Sequence, residues 1–327
     1  MIDTSGPWGT GPFILKSGFS VLDKRAPELV LVPNPDHWNA ARRPKNEIRF
    51  DNLMSKEEGL QALKAGKVDI VTELTSAEAA SLADSKTAKV VRNDAKTILV
   101  GVFNQTAPNS RWRDARLRKA LNHAVDKEAV VKNGALGYGT VVAAFIKPGD
   151  FGANSALKPY AFNQAEAKKL WKQAGAKAAP VTIVAGATYK PVVEGIAKNL
   201  EGIGLKVNPV WADAPKGDDW DIWLVEHFDW SPEFPVGVVH REFFAKDGGF
   251  RKMDVDPKFE QMLEKIVATP DRAAQEKLVQ QIEQYVYKQA NVLFLYSPAK
   301  LYGVSNRVKF VPYRTTVLEL AEASISK

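Results

Sequence analysis

The chain has 327 residues, of which 45% are hydrophobic, 25% charged and 9% aromatic, as expected for a globular protein with one large or two medium domains. No apolar run approaches the ~20 residues of a membrane-spanning helix. The absence of cysteine excludes disulfides, thiolate nucleophiles and cysteine-ligated metals. The net charge of +7 permits an anionic partner, but the basic residues are spread along the chain. Their densest group, residues 111–119, is typical of a solvated helix face, so we expect no nucleic-acid partner.

The first third of the chain predicts mixed α/β structure. Short apolar runs ended by proline, asparagine or glycine predict strands at 13–16, 28–33, 47–50, 68–71 and 98–103. A helix is expected from Ser55 through Leu63, with Gly66 as its stop. A second, short helix is expected at 76–82 with Ser76 as its cap.

The remainder predicts a second set of alternating strands and helices. Apolar positions spaced by four indicate one helix or two abutting helices over 111–133. Further helices are expected from Asn163 to Gly175, at 191–201 and at 271–288, with strands at 181–184, 205–210, 221–225 and 292–296 and short strands within 299–318. The strand–helix–strand unit over 181–210 favours a right-handed crossover in a layered α/β structure.

Five short motifs occur in one order along the chain. They are Gly9-Thr10-Gly11-Pro12-Phe13, Asn34-Pro35-Asp36-His37-Trp38, the segment 63–69 (Leu-Lys-Ala-Gly-Lys-Val-Asp), the segment 116–127 (Arg-Leu-Arg-Lys-Ala-Leu-Asn-His-Ala-Val-Asp-Lys) and Asp229-Trp230-Ser231-Pro232-Glu233. Each motif is weak by itself. Together, and in this order, they resemble the peptide/nickel-type (family 5) extracellular solute-binding proteins of bacterial ABC importers. The resemblance covers nearly the whole chain.

The resemblance implies a two-lobed, periplasmic-binding-protein-like (type II) α/β fold, with mixed sheets flanked by helices and the ligand enclosed between the lobes. By analogy, lobe I comprises residues 1–103 and 294–327, and lobe II comprises 104–293. Family members are usually far longer, and their Gly-Thr-Gly-Pro segment lies well inside the first lobe, so we expect the first lobe to be incomplete here. The chain starts Met-Ile-Asp-Thr without a basic segment and an apolar stretch. We therefore expect no secretion signal within it, and a periplasmic location for the native full-length form.

Asp229 is the leading candidate for ligand binding. It follows a hydrophobic strand, at the kind of strand end where α/β proteins form ligand clefts. A carboxylate in a closed cleft pairs with an ammonium group more strongly than in water, and the resemblance implies that this Asp holds the ligand's α-amino group. The alternative is an Asp that caps the turn before Pro232. Trp230 either covers part of the ligand or packs in the core.

Glu226, His227 and Tyr189 complete the expected ligand-binding group. Glu226 stands where family members often have Trp, so it would change the polarity of the pocket; alternatively it is an exposed strand end. Tyr189 lies in the loop 185–191, where dipeptide-type relatives carry an Arg that this chain lacks; it lines the cleft or packs in the loop. His227 lies near Asp229, but His-x-Asp without further fixed ligands is a poor metal signature, so no metal site is predicted.

The sequence contains none of the motifs typical of common hydrolases, zinc proteases or nucleotide-binding enzymes. We therefore expect no enzyme and no cofactor. The predicted function is capture of a peptide or an amine-bearing, peptide-like small molecule by hinge closure, with the permease subunits of an ABC transporter as partners. The alternative is a truncated binding-protein fold that serves as an interaction module without high-affinity solute binding.

Overall fold

The computed structural model describes residues 9–21, 24–228, 239–314 and 318–326. The described chain divides into two compact units. The first contains the residues up to Asn93, Lys300–Tyr313 and 318–326; the second contains Asp94–Ala299 and Arg314. The sequence placed the lobe boundaries at 103 and 294. In the structure the units divide about one strand away from each of these positions, so residues 97–103 and 292–298 both belong to the second unit.

The first unit consists of small antiparallel sheets and two short helices. Its strands are β1 (Phe13–Ser17), β2 (Ser20–Val21), β3 (Lys24–Arg25), β4 (Glu28–Pro33), β5 (Ile48–Asp51), β6 (Ile70–Val71), β7 (Ala88–Asn93), β14 (Lys300–Ser305), β15 (Val308–Lys309) and β16 (Ser324–Ile325), and its helices are α1 (Lys56–Lys64) and α2 (Ser76–Ala80). They form the sheets β1-β4-β5 and β6-β14-β7 and the pairs β2-β3 and β15-β16.

Both helices of the first unit begin with a capping box. The Ser55 side chain accepts from the Glu58 N–H and the Glu58 carboxylate accepts from the Ser55 N–H, so two unsatisfied donors of the first turn of α1 are bonded. Thr75 and Glu78 do the same for α2. The predicted cap, Ser76, was therefore wrong by one residue: Ser76 is the first helical residue, and Thr75 has the extended backbone that a cap requires.

The second unit is built on one six-stranded sheet. Its elements are β8 (Thr97–Phe103), α3 (Ala115–Ala124), α4 (Lys127–Ala129), β9 (Gly139–Val141), α5 (Gln164–Gln173), β10 (Val181–Ala185), α6 (Lys190–Glu201), β11 (Val207–Trp211), β12 (Ile222–Phe228), α7 (Val239–Phe244), α8 (Pro257–Val267), α9 (Arg272–Gln289) and β13 (Val292–Pro298). The strand order is β11-β10-β12-β8-β13-β9. Strand β10 is parallel to β11 and β12, as the predicted crossover requires, whereas β8 is antiparallel to both of its neighbours.

Helices cover both faces of this sheet. Side chains alternate along β8, so Leu99 and Phe103 pack with α3, α5 and α6, while Ile98, Val100 and Val102 pack with α7, α8 and α9. We call these two sides the α3 face and the α9 face. All seven residues of β8 are buried, which explains why its sequence is continuously hydrophobic rather than alternating.

The described helices include none that is both long enough and apolar enough to cross a membrane.

The segment 111–133 forms two abutting helices rather than one. Helix α3 ends at Ala124, Val125 is extended, and Asp126 caps the short helix α4. The buried Lys127 amine occupies this break and donates to the carbonyl oxygens of Asn122 (2.6 Å), Tyr160 (3.3 Å) and Val125 (3.5 Å). Burial lowers the pKa of Lys127 from its ordinary 10.5 to about 7.

We predict that Lys127 makes the free energy of unfolding rise with pH. Between pH 7 and 10.5 the unfolded chain binds the Lys127 proton and the folded chain has released it, so stability increases by at most about 1.4 kcal/mol per pH unit in this window. Urea unfolding at pH 7, 8 and 9 should show that Lys127→Met removes this component, whereas the exposed Lys168→Met keeps it. Parallel pH profiles for Lys127→Met and the unsubstituted protein would contradict the assignment.

A glycine is required at the centre of β8. A Cβ atom at Gly101 would lie 2.7 Å from Ile222 Cγ2 and 3.1 Å from Leu293 Cβ, which belong to the two flanking strands. We predict that Gly101→Ala costs about 1–3 kcal/mol of unfolding free energy by overpacking. Gly11→Ala is the control, because nothing lies within 4 Å of its Cβ position. Urea unfolding followed by tryptophan fluorescence compares them, and equal midpoints would refute the packing argument.

Candidate functional site

The candidate site lies at the carboxyl edge of the parallel strands of the second unit. Strands β10 and β12 are parallel and pair at Ile183–Ile222 and Val184–Trp223. The carboxyl ends of both strands therefore lie at the same edge of the sheet. Ligands of α/β proteins bind at this kind of edge. The residues that follow β10, β11 and β12 therefore lie at this edge.

Tyr189 and Glu226 meet at this edge. After β10, Gly186 leads into a single 3₁₀ turn, Ala187–Tyr189, from which α6 continues. The Tyr189 hydroxyl donates to Glu226 Oε2 near the end of β12. Burial raises the pKa of Tyr189 well above its usual range, and the adjacent Glu226 carboxylate raises it further. The hydroxyl therefore keeps its proton and remains a donor to a negatively charged group.

A second tyrosine lies beside this pair. Tyr296 of β13 is 3% exposed and packs on the α3 face. Burial raises the pKa of Tyr296, and the charge of Glu226 adds to the effect. The Glu226 carboxylate is thus half-buried and lies near two tyrosines that keep their protons. Sequence reasoning missed Tyr296, because only the pairing β12-β8-β13 brings it near Glu226.

Asp213 contributes a second carboxylate to the same edge. It comes two residues after β11, and its Oδ1 lies 3.2 Å from the position that a Cβ on Gly186 would take. Its carbonyl oxygen accepts a hydrogen bond of 2.9 Å from the indole N–H of Trp223. Sequence reasoning missed Asp213 as well, although its place after a parallel strand was a usable signal. The described edge carries negative charge at both Asp213 and Glu226.

His227 faces the other side of the sheet from Glu226. Neighbouring residues of a strand point in opposite directions, and Glu226 pairs opposite Leu99 while His227 pairs opposite Ile98. The His227 ring lies 5.1 Å from the ring of Phe250 and 5.9 Å from that of Phe243 on the α9 face. Burial in this aromatic cluster lowers the pKa of His227. The predicted group is thus divided: Tyr189 and Glu226 come together, and His227 stands apart.

The two remaining predicted site residues, Asp229 and Trp230, lie outside the described residues. His240 is in helix α7, where its Nε2 bonds Glu283 Oε1 at 2.6 Å inside the α9-face core. Within the described ranges, no group of three or more His, Asp or Glu side chains is arranged to hold a metal ion.

We predict an energetic coupling between Tyr189 and Glu226. Glu226→Ala removes the acceptor of the half-buried Tyr189 hydroxyl, and Tyr189→Phe removes one donor to the Glu226 carboxylate, so each single change should cost about 1–3 kcal/mol. The double variant should cost less than the sum by about 1 kcal/mol or more in urea unfolding. Additive costs would show that the hydrogen bond contributes nothing.

Residues 3–240 match the family described as bacterial extracellular solute-binding proteins, family 5 Middle. The chain is 23% identical to the probable D,D-dipeptide-binding periplasmic protein DdpA of Escherichia coli, over 92% of this chain and 59% of DdpA. It is also 23% identical to heme-binding protein A of Haemophilus influenzae, over 88% of this chain and 54% of that protein. The chain therefore spans somewhat more than half the length of these relatives.

The structure of the ABC transporter substrate-binding protein CtaP of Listeria monocytogenes superimposes with a TM-score of 0.82 at 15% identity, covering 98% of this chain and 67% of CtaP. This likeness confirms the predicted fold class, with mixed sheets flanked by helices. The family consists of solute-binding proteins, not of enzymes. Since the family match spans more than half of the chain, the protein belongs to the family 5 bacterial extracellular solute-binding proteins.

Proposed function

We propose that this chain is the solute-binding component of an ABC importer and that it captures a peptide or an amine-bearing, peptide-like small molecule. The observation that carries the proposal is the Glu226 carboxylate, held by Tyr189 at the carboxyl edge of β10 and β12. Membership of family 5 and the similarity to a protein named as dipeptide-binding support the same class of ligand.

The chemistry of this edge favours a cationic group on the ligand. Two carboxylates, Asp213 and Glu226, lie there, and Glu226 is half-buried among tyrosines. In such a place the attraction to an ammonium group is several times stronger than in bulk water, because less water screens it. The Tyr189 hydroxyl donates to one oxygen of Glu226 and so orients the carboxylate.

Asp229 and Trp230 extend this proposal along the chain. Asp229 directly follows β12 in the sequence, two residues after His227 and three residues after Glu226. In the proposed complex the Asp229 carboxylate holds the α-amino group, Glu226 contributes negative charge beside it, and the Trp230 ring covers an apolar part of the ligand.

The proposed cycle is that of a binding protein rather than of a catalyst. Two lobes close on the solute as rigid bodies, and the ligand stabilises the closed state by contacting both. The closed form then delivers the solute to the permease subunits of its transporter. The names of the relatives and the description of the family favour a periplasmic or extracellular location for this exchange.

Calorimetry with matched peptides tests the proposal. A short peptide found by screening a peptide pool is compared with its N-acetylated form, which lacks the charged amine. We predict that acetylation weakens binding at least about tenfold, and that Asp229→Ala and Glu226→Gln each weaken binding of the free-amine peptide by a similar factor. Glu264→Gln, an exposed change on α8, is the control for loss of one negative charge.

Equal affinity for the two peptide forms would contradict the amine-binding proposal. Unchanged affinity in Asp229→Ala alone would remove Asp229 from the site, and the same result in Glu226→Gln would remove Glu226. If the Glu264→Gln control also lost binding, the weaker binding of the site variants would result from the change in net charge and not from the site.

A further inference from the structure

Helices α3 and α5 present one continuous surface on the α3 face of the second unit. They run antiparallel: the Arg116 guanidinium donates to the Gln173 carbonyl at one end (2.8 Å), and the Asn163 N–H donates to the His123 carbonyl at the other (2.8 Å). The buried sides of the helices, which include Leu117, Leu121 and Trp171, pack in the same core. Their outer sides therefore lie next to each other.

The outer sides carry more basic than acidic side chains. The outer sides of α3 and α5 carry five cationic side chains, which we call the basic ridge: Arg116, Lys119, Lys168, Lys169 and Lys172. All are exposed except Lys119, which is half-exposed. Asp114 pairs with Arg116 and Glu166 with Lys169, so Lys119, Lys168 and Lys172 leave the ridge with an excess of positive charge.

We propose that the basic ridge docks on an anionic phospholipid surface. Complementarity of charge is the first argument: each Lys or Arg close to such a surface strengthens attachment by roughly fivefold. The second argument is shape, because two side-by-side helices make a broad, shallow face that suits a flat partner. The third is Phe162, which is 47% exposed and precedes the first residues of α5, where an aromatic ring can enter the lipid interface.

The same features disfavour a nucleic acid. The major groove admits one helix, whereas the ridge consists of two helices packed together. Single-stranded binding needs aromatic platforms among the basic residues, and the ridge has its aromatic ring at one end only. The attachment proposed here is independent of solute binding, since Glu226 and Tyr189 take no part in it.

Vesicle sedimentation tests the proposal with the full chain. The probes are vesicles of phosphatidylcholine alone and vesicles that also contain phosphatidylglycerol, each at low and at physiological ionic strength. We expect binding to the phosphatidylglycerol vesicles only, and weaker binding as salt shortens the Debye length to about 8 Å. Lys168→Glu/Lys172→Glu should reduce this affinity at least about tenfold, and Phe162→Ala should reduce it by a smaller factor.

The matched control is Lys265→Glu/Lys277→Glu. These exposed lysines lie on α8 and α9, which cover the opposite face of the sheet, and the substitution changes the net charge by the same amount. Binding that survives in this control and is lost in the ridge variant supports the proposal. Equal loss in both variants, or unchanged binding in the ridge variant, would overturn it. Binding to polyglutamate without binding to the vesicles would also overturn it, in favour of an acidic protein partner.

Circular dichroism and a urea midpoint for each variant show that folding is retained. All the substituted side chains are exposed, so a change in stability greater than about 0.5 kcal/mol is not expected.

Discussion

Strand β8 has to be covered on both of its faces, and the organisation of the second unit depends on this requirement. Each of its seven residues is buried, so a single layer of helices would leave half of its side chains in water. Helices α3, α5 and α6 cover one face and α7, α8 and α9 cover the other. This burial removes the apolar side chains of β8 from water, which stabilises the unit, and it also fixes the face to which each residue of the strand points.

The placement of the candidate site follows from this alternation. Strand β12 pairs with β8 over its full length, so Glu226 must project to the α3 face and His227 to the α9 face. On the α3 face Glu226 meets Tyr189 and comes near Tyr296, both of which remain protonated donors because burial raises their pKa. On the α9 face His227 enters a cluster of phenylalanine rings that disfavours its charged form. Two adjacent polar residues therefore have opposite electrostatic surroundings.

Much of the fold could be predicted from local pattern. The continuous apolar run of β8, the start of α1 at Ser55 and the strand–helix–strand unit over 181–210 each carry a signal within a few residues, and the structure confirms them. Strand β7 and helix α8 were not predicted. Strand β7 exposes much of its surface, and its partner β14 lies more than 200 residues away, so pairing rather than local hydrophobicity defines it.

The site was predictable only in part for the same reason. Tyr189 and Glu226 each follow or end a recognisable strand, which is a local signal. Their hydrogen bond depends on the parallel pairing of β10 and β12, and the contribution of Tyr296 depends on a strand at the other end of the unit. The basic ridge was visible as residues 111–119 but not as a two-helix surface, since α5 lies about 50 residues further along the chain.

Identification of the solute that the protein carries tests the central claim most directly. Native mass spectrometry of the protein purified from its own source, followed by release and fragmentation of the bound compound, gives its structure. The account predicts that the bound compound carries a protonated amine. It also predicts that the mass which this compound adds to the protein disappears when Glu226 is replaced by Gln. A tightly bound compound without any basic nitrogen would contradict it.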